Sequence, residues 1–293
     1  AVRVIKEPIA GKPGRVAVTF DVREGELVYI RNIMIRGNNK TKDKVIRREI
    51  LVNPGEIMNE VRIQTSENRL KNLGYFSTVR HVTEQGEGNK RDLVYEVEEQ
   101  NTGNFMVGAG FSSEDGVVGF VEVTQSNFDI LNWPSFQGAG QKARLGVEVG
   151  NERQAAEVSW TEPWFLDRPL ALTVDLYRRM RDYDEYDEIR TGGSVGLSYP
   201  VKVGRVGARY TFELVQMDDL DNGYWYTKDG RNSTPPNWRG WPNQYFRYQE
   251  DQYGDNINSV IRLYWAHDTR DQAFVPTKGY QTTVFGEVSE GAI

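Results

Sequence analysis

The side chains that could do chemistry in this sequence are few. Its two histidines, His81 and His267, lie far apart along the chain, and cysteine is absent. Thiolate nucleophiles, thiolate metal sites and a disulfide frame are thereby excluded, and a histidine-based metal site lacks neighbouring ligands. Carboxylates gather at Asp182, Asp184, Glu185, Asp187 and Glu188, and again at Asp218, Asp219 and Asp221. A close pair could exchange protons as general acid and base, and a cluster could hold a hard cation. Both runs fall in segments read as surface loops, where carboxylates are ordinarily solvated. Gly108-Ala109-Gly110 precedes no helix, so it does not read as a phosphate cradle. No catalytic, metal or cofactor residue is assigned. The net charge of -6 gives no basis for nucleic-acid binding. What remains is the strand backbone, and its use depends on the elements that carry it.

Residues 1–25 read as the tail of a preceding module, and residues 26–100 as a small α+β module. Val16–Val22 alternates apolar and polar residues and makes a hairpin with Val2–Ile5, too little to stand alone. Since Ala1 through Ile5 already reads as strand, the sequence is expected to begin inside a longer protein. Val28–Ile35 is a strand, and Thr41 is the expected N-cap of a helix over 44–50. A second helix over 59–73 places Ile63, Leu70 and Leu73 on one face, with Gly74 just past its end. Tyr75 and Phe76 are core or packing residues, and strands follow near Val79–Glu84 and Arg91–Glu98. The order β-α-α-β-β lets a small sheet bury one face against two helices.

From about residue 101 to 293 the helix signals vanish. Aromatic residues make up 12% of the chain and glycines number 29, a composition suited to strands and membrane interfaces. Segments of about ten residues alternate, as in Ala143, Leu145, Val147 and Val149 against Arg144, Gly146 and Glu148. About nine such strands are expected, each long enough to cross an outer membrane when tilted. No apolar run is long enough for a spanning helix, and mean hydropathy is -0.62. A soluble sandwich would alternate too. However, Arg144, Glu148, Asp175, Arg209, Glu213 and Arg262 carry more charge than a small core could bury unpaired. The charged face must therefore be wet and the apolar face turned to lipid. Met180–Glu188 and residues 217–256 read as loops at the outer rim, with Trp133, Trp160, Trp164, Phe165, Tyr199 and Tyr210 as interfacial aromatics.

Particular residues also resemble a known family. Tyr29 through Asn38, Ile46-Arg47-Arg48-Glu49-Ile50, Pro54-Gly55-Glu56-Ile57 and Leu73-Gly74-Tyr75-Phe76 are similar to a POTRA domain. Gly108 through Gly116, Asn127-Phe128, Gly138-Ala139-Gly140-Gln141, Thr161 through Leu166, Asp268-Thr269-Arg270-Asp271 and Pro276-Thr277-Lys278-Gly279 continue the match. The whole resembles the BamA-type assembly factors of the Omp85 superfamily. This implies a fold class of an α+β POTRA domain followed by an antiparallel transmembrane β-barrel, incomplete in these residues. Residues 1–25 would be the end of a preceding POTRA domain, 26–100 the one beside the barrel, and 101–293 the first strands of a barrel of sixteen. The superfamily's Arg-Gly-Phe motif and the last strand are absent here.

The resemblance also implies a role and its partners. In this family the first barrel strand offers its edge to client strands, which here corresponds to Asn104, Phe105, Met106, Val107, Gly108, Ala109, Gly110 and Phe111. Its glycines read either as a weak seam or as an aid to curvature. A second edge is expected at Val79, Arg80, His81, Val82, Thr83 and Glu84. Implied partners are nascent outer-membrane β-barrel proteins, periplasmic chaperones, accessory outer-membrane lipoproteins and the lipid bilayer, with no cofactor. The implied location is the bacterial outer membrane, with the POTRA domain in the periplasm. The alternative is an Omp85-type secretion or translocation pore of the two-partner-secretion or TamA kind.

Overall fold

In a computed structural model, residues 2–8, 15–22, 26–112, 116–183, 187–218, 254–270 and 276–291 are described. The chain divides into two compact units, Ala1–Asn101 and Thr102–Ile293.

The first unit opens with β1 (Val2–Pro8) and β2 (Val16–Val22), an antiparallel pair. Then come β3 (Tyr29–Arg36), α1 (Asp43–Arg47), α2 (Glu60–Asn72), β4 (Phe76–Gln85) and β5 (Lys90–Glu99), in the expected β-α-α-β-β order. These three strands form a sheet in the order β3-β5-β4, with β3 parallel and β4 antiparallel to β5. Ile63 and Leu70 from α2 pack with Ile30, Val45, Ile46, Val79, Leu93, Tyr95 and Val97 in one core. Tyr75 and Phe76 are buried in it. Asn59 caps α2 by accepting the Arg62 N–H at 3.1 Å. Gly74 ends it with a φ of 73°, a left-handed value that glycine adopts without strain.

One local expectation is overturned. Lys42, not Thr41, occupies the N-cap of α1, and no side chain caps it. The Glu99 carboxylate reaches the same loop from the end of β5, accepting backbone N–H groups of Asn39, Lys40 and Thr41. Glu99 thus anchors the loop that leads into α1, and Thr41 is buried within that loop.

The second unit is one antiparallel sheet. Its strands are β6 (Gly103–Ser112), β7 (Gly116–Phe128), β8 (Gln141–Gly150), β9 (Arg153–Glu162), β10 (Ala171–Asp182), β11 (Asp187–Pro200), β12 (Arg205–Asp218), β13 (Gly254–Asp268) and β14 (Gln281–Gly291). Each pairs with its neighbour in sequence, so β6 and β14 are the ends and the sheet is not closed. Most of the loop expected at Met180–Glu188 is strand, with Met180 opposite Ile189 and Asp182 opposite Asp187. The 217–256 loop is likewise shortened by β12 and β13, and residues 219–253 lie outside the described residues.

Candidate functional site

The register of the large sheet sorts its side chains into two faces. Phe105, Val123, Leu145, Val158, Leu176, Gly193 and Phe212 stand opposite one another in turn across β6 to β12. The neighbouring row of the same face runs Ala143, Trp160, Val174, Val195, Tyr210, Ile261 and Val288. Arg178, opposite Ala156 and Thr191, interrupts this apolar surface. Large side chains such as Leu176 and Phe212 are exposed on it, so the apolar rows cover no core within the unit.

The opposite face is charged and hydrogen-bonded. One row runs Asn104, Thr124, Arg144, Ser159, Asp175, Ser194 and Thr211. Asp175 accepts from Ser159 at 2.6 Å, Ser194 at 2.8 Å and Arg209 at 3.0 Å, gathering three strands onto one carboxylate. Arg144 bonds Glu122 at 2.7 Å, and Arg262 pairs with Glu287 at 2.6 Å. Glu188, from one of the acidic runs, pairs with Arg190 at 2.6 Å rather than with another carboxylate. Among the described residues no group of three His, Asp or Glu is placed to hold a metal. Sequence patterning identified the charges of this face; their pairings depend on register and were not legible from it.

Asn104 through Phe111 all lie in β6, which pairs with β7 and with no other described strand. By alternation, Phe105, Val107, Ala109 and Phe111 lie on the face of Val123 and Leu145, and Asn104, Met106, Gly108 and Gly110 on the face of Thr124 and Arg144. Gly108 has a specific partner. A Cβ built there would come within 2.5 Å of the Phe120 ring on β7, whereas one at Gly110 would meet nothing within 4 Å. The aromatic ring thus occupies the space that glycine leaves at 108. Same-face small-against-large packing of this kind holds a strand pair together.

The second expected edge, Val79–Glu84, lies in β4 at the margin of the small sheet. The other margin, β3, is partly covered by chain that bonds to it, with Gly55 N–H donating to Ile30 O at 2.7 Å and Ile30 N–H donating to Glu56 O at 2.9 Å. Several side chains of β4 are already engaged. Val79 is in the core, Arg80 pairs with Glu96 at 2.7 Å, and Glu84 pairs with Arg36 at 2.7 Å. His81 turns toward α2, its Nδ1 2.6 Å from Glu67 and its Nε2 3.1 Å from Glu60. Val82 is exposed. Burial works against charge on Glu67, but its bonds to Lys71 and His81 outweigh this and hold the carboxyl below the usual range.

Comparison with known proteins agrees with this geometry. The Omp85 superfamily domain matches residues 135–292, and POTRA, the surface antigen variable number repeat, matches residues 28–100. The outer membrane protein assembly factor BamA of Nitratidesulfovibrio vulgaris is 26% identical over 280 residues, covering 94% of this chain and 32% of the relative. The crystal structure of Haemophilus ducreyi BamA lacking POTRA domains 1–3 superposes with a TM-score of 0.70 at 19% identity, over 99% of this chain and 53% of that one. CdiB from Acinetobacter baumannii shares the fold more loosely, with a TM-score of 0.50 at 11% identity over 99% of this chain and 50% of that one. The chain spans about a third of the length of the curated relative it matches. A sheet with one apolar and one polar face, following a POTRA domain in sequence, fits these matches, and the chain belongs to the Omp85 superfamily, as a BamA-like member.

Proposed function

We propose that this chain is part of an outer-membrane assembly factor that folds and inserts β-barrel proteins by templating their strands on the edge of β6. The carrying observation is that β6 presents one unpaired backbone edge among the described residues while sharing the apolar face of the large sheet. A client strand entering hydrocarbon must pair its N–H and C=O groups, because each left unpaired costs several kcal/mol. An edge already at bilayer depth supplies partners by β-augmentation. Further strands, outside residues 1–293, would close the barrel when no client is engaged.

In this reading residues 26–100 form the periplasmic POTRA domain beside the barrel, and residues 1–25 end a preceding one. The β4 edge receives periplasmic clients or accessory lipoproteins through its backbone, since most of its side chains are engaged, and periplasmic chaperones deliver the nascent clients. The protein works without catalysis or cofactor.

The test is a disulfide lock in the full-length protein between cysteines at Val107 and at the facing position of the last barrel strand. Loss of client-barrel assembly in the oxidised form, restored by reduction, is the expected result. Undiminished assembly in the locked form would sink the edge mechanism. Loss of secretion of one partner polypeptide, with other barrels assembled normally, would assign the chain to the translocating branch of the superfamily instead.

A further inference from the structure

At the end of the sheet where β6 begins, the connection from β7 to β8 carries a tip of exposed apolar side chains. Ile130, Leu131 and Trp133 are 54%, 85% and 78% exposed. No Asp, Glu, Lys or Arg occurs from Ile130 to Gln141. A clustered apolar tip of this kind marks an interaction surface rather than ordinary loop exposure.

Two observations indicate what it meets. The first is continuity with the apolar face of the sheet. Phe128 stands opposite Gln141, which shares a face with Ala143 and Trp160. Phe136 stacks on Phe128 with ring centroids 5.8 Å apart, and Trp133 meets Phe136 edge-on at 5.1 Å. An aromatic run therefore leads from the apolar face out to the tip. Gln141 Oε1 accepts from Trp160 Nε1 at 3.2 Å and from the Ile130 N–H at 3.1 Å, tying the tip to the same face.

The second is the loop backbone. The N–H groups of Asp129, Asn132 and Phe136 donate to carbonyls within the loop, and that of Leu131 donates to the Asp129 carboxylate at 3.2 Å. Asn132 Nδ2 donates to Gln137 O at 2.8 Å, and Ser135 Oγ donates to Asn132 O. Internal pairing of these groups lowers the cost of resting the tip against an apolar or interfacial surface.

We propose that residues 130–136 form a membrane foot, which seats Leu131 and Trp133 in the phospholipid interface at the rim where β6 begins. Tryptophan suits this position, having an apolar body and one N–H for the polar side. The inference rests on the reading of the large sheet as a lipid-facing barrel wall.

Single cysteines at Leu131 and Leu145 of the full-length protein, labelled with an environment-sensitive fluorophore in phosphatidylethanolamine–phosphatidylglycerol vesicles, test both at once. These 293 residues hold no competing cysteine. The expected result is blue-shifted emission at both sites, with Leu131→Cys quenched by a nitroxide near the headgroup and Leu145→Cys by one deeper in the chains. A Leu131→Cys probe quenched by aqueous iodide, with Leu145→Cys still in lipid, overturns the foot and leaves the barrel reading standing. A Leu131→Cys probe shielded from both quenchers assigns the tip to a protein partner and also overturns it. Iodide quenching at Leu145→Cys sinks the barrel reading and the foot together.

Discussion

The ring of Phe120 on β7 fills the space over Gly108 on β6, so close that a Cβ at 108 would come within 2.5 Å of it. This contact belongs to the one strand pair that ties β6 to the rest of the sheet. Gly108→Val should destabilise the folded barrel by about 1–3 kcal/mol, as overpacking commonly does. Gly110→Val, placed in open space, should stay within about 0.5 kcal/mol. Urea midpoints of the full-length protein in lipid vesicles check this, and equal midpoints for the two variants would refute it.

A second ring crosses a glycine on the polar face. Tyr177 on β10 passes over Gly192 on β11 and donates its hydroxyl to Glu213 on β12 at 2.7 Å. Tyr177→Phe removes a bond to a charged acceptor and should cost about 1.5–3 kcal/mol. Gly192→Ala should also destabilise, since its Cβ would meet the Phe212 carbonyl at 2.6 Å and the Tyr177 hydroxyl at 3.0 Å. The double variant should cost less than the sum of the two, because both break the same crossing.

Leu176 and Thr211 lie on opposite faces. Leu176→Arg should cost about 2–4 kcal/mol in a bilayer, the penalty for a cation on the lipid side of a barrel near its midplane. Thr211→Arg enters the row already holding Arg144 and Asp175 and should be tolerated. The measurement is the fraction folded into vesicles. Equal folding of both variants would contradict the assignment of faces.

The loop at residues 39–41 depends on one carboxylate. Burial of Glu99 works against its charge, but hydrogen bonds from Thr41, Lys40 and Asn39 outweigh this and lower its pKa. Because the folded value lies below the unfolded one, this stabilisation is fully present above about pH 4.3, the ordinary glutamate value. It is lost as pH falls through the depressed folded value. Glu99→Gln should loosen the loop at neutral pH, seen as faster hydrogen exchange over residues 37–50. The gap between wild type and variant should narrow below about pH 4. A constant gap across that range would exclude the carboxylate as the source.

The two faces of the large sheet were legible because strand periodicity is local: Leu145 and Val147 against Arg144 and Glu148 state their sides without any partner. The nine strands and the β-α-α-β-β order followed from the same alternation and from turn residues. Met180–Glu188 was misread as loop because acidic and tyrosine residues also occur at strand ends, where Glu188 of β11 stands opposite Arg181 of β10 and pairs with Arg190 of its own strand. Thr41 was misread as a cap because the competing acceptor, Glu99, lies 58 positions away.

Alternation by itself fixed which side of each strand avoids water, since side chains reverse with every residue whatever lies next door. Register decided the rest. Only the folded sheet sets Phe120 over Gly108, brings Ser159, Ser194 and Arg209 onto Asp175, and carries an aromatic run from Phe128 to Trp133. Contacts of this kind join residues whose spacing along the chain carries no signal, because pairing across strands is a property of the assembled sheet.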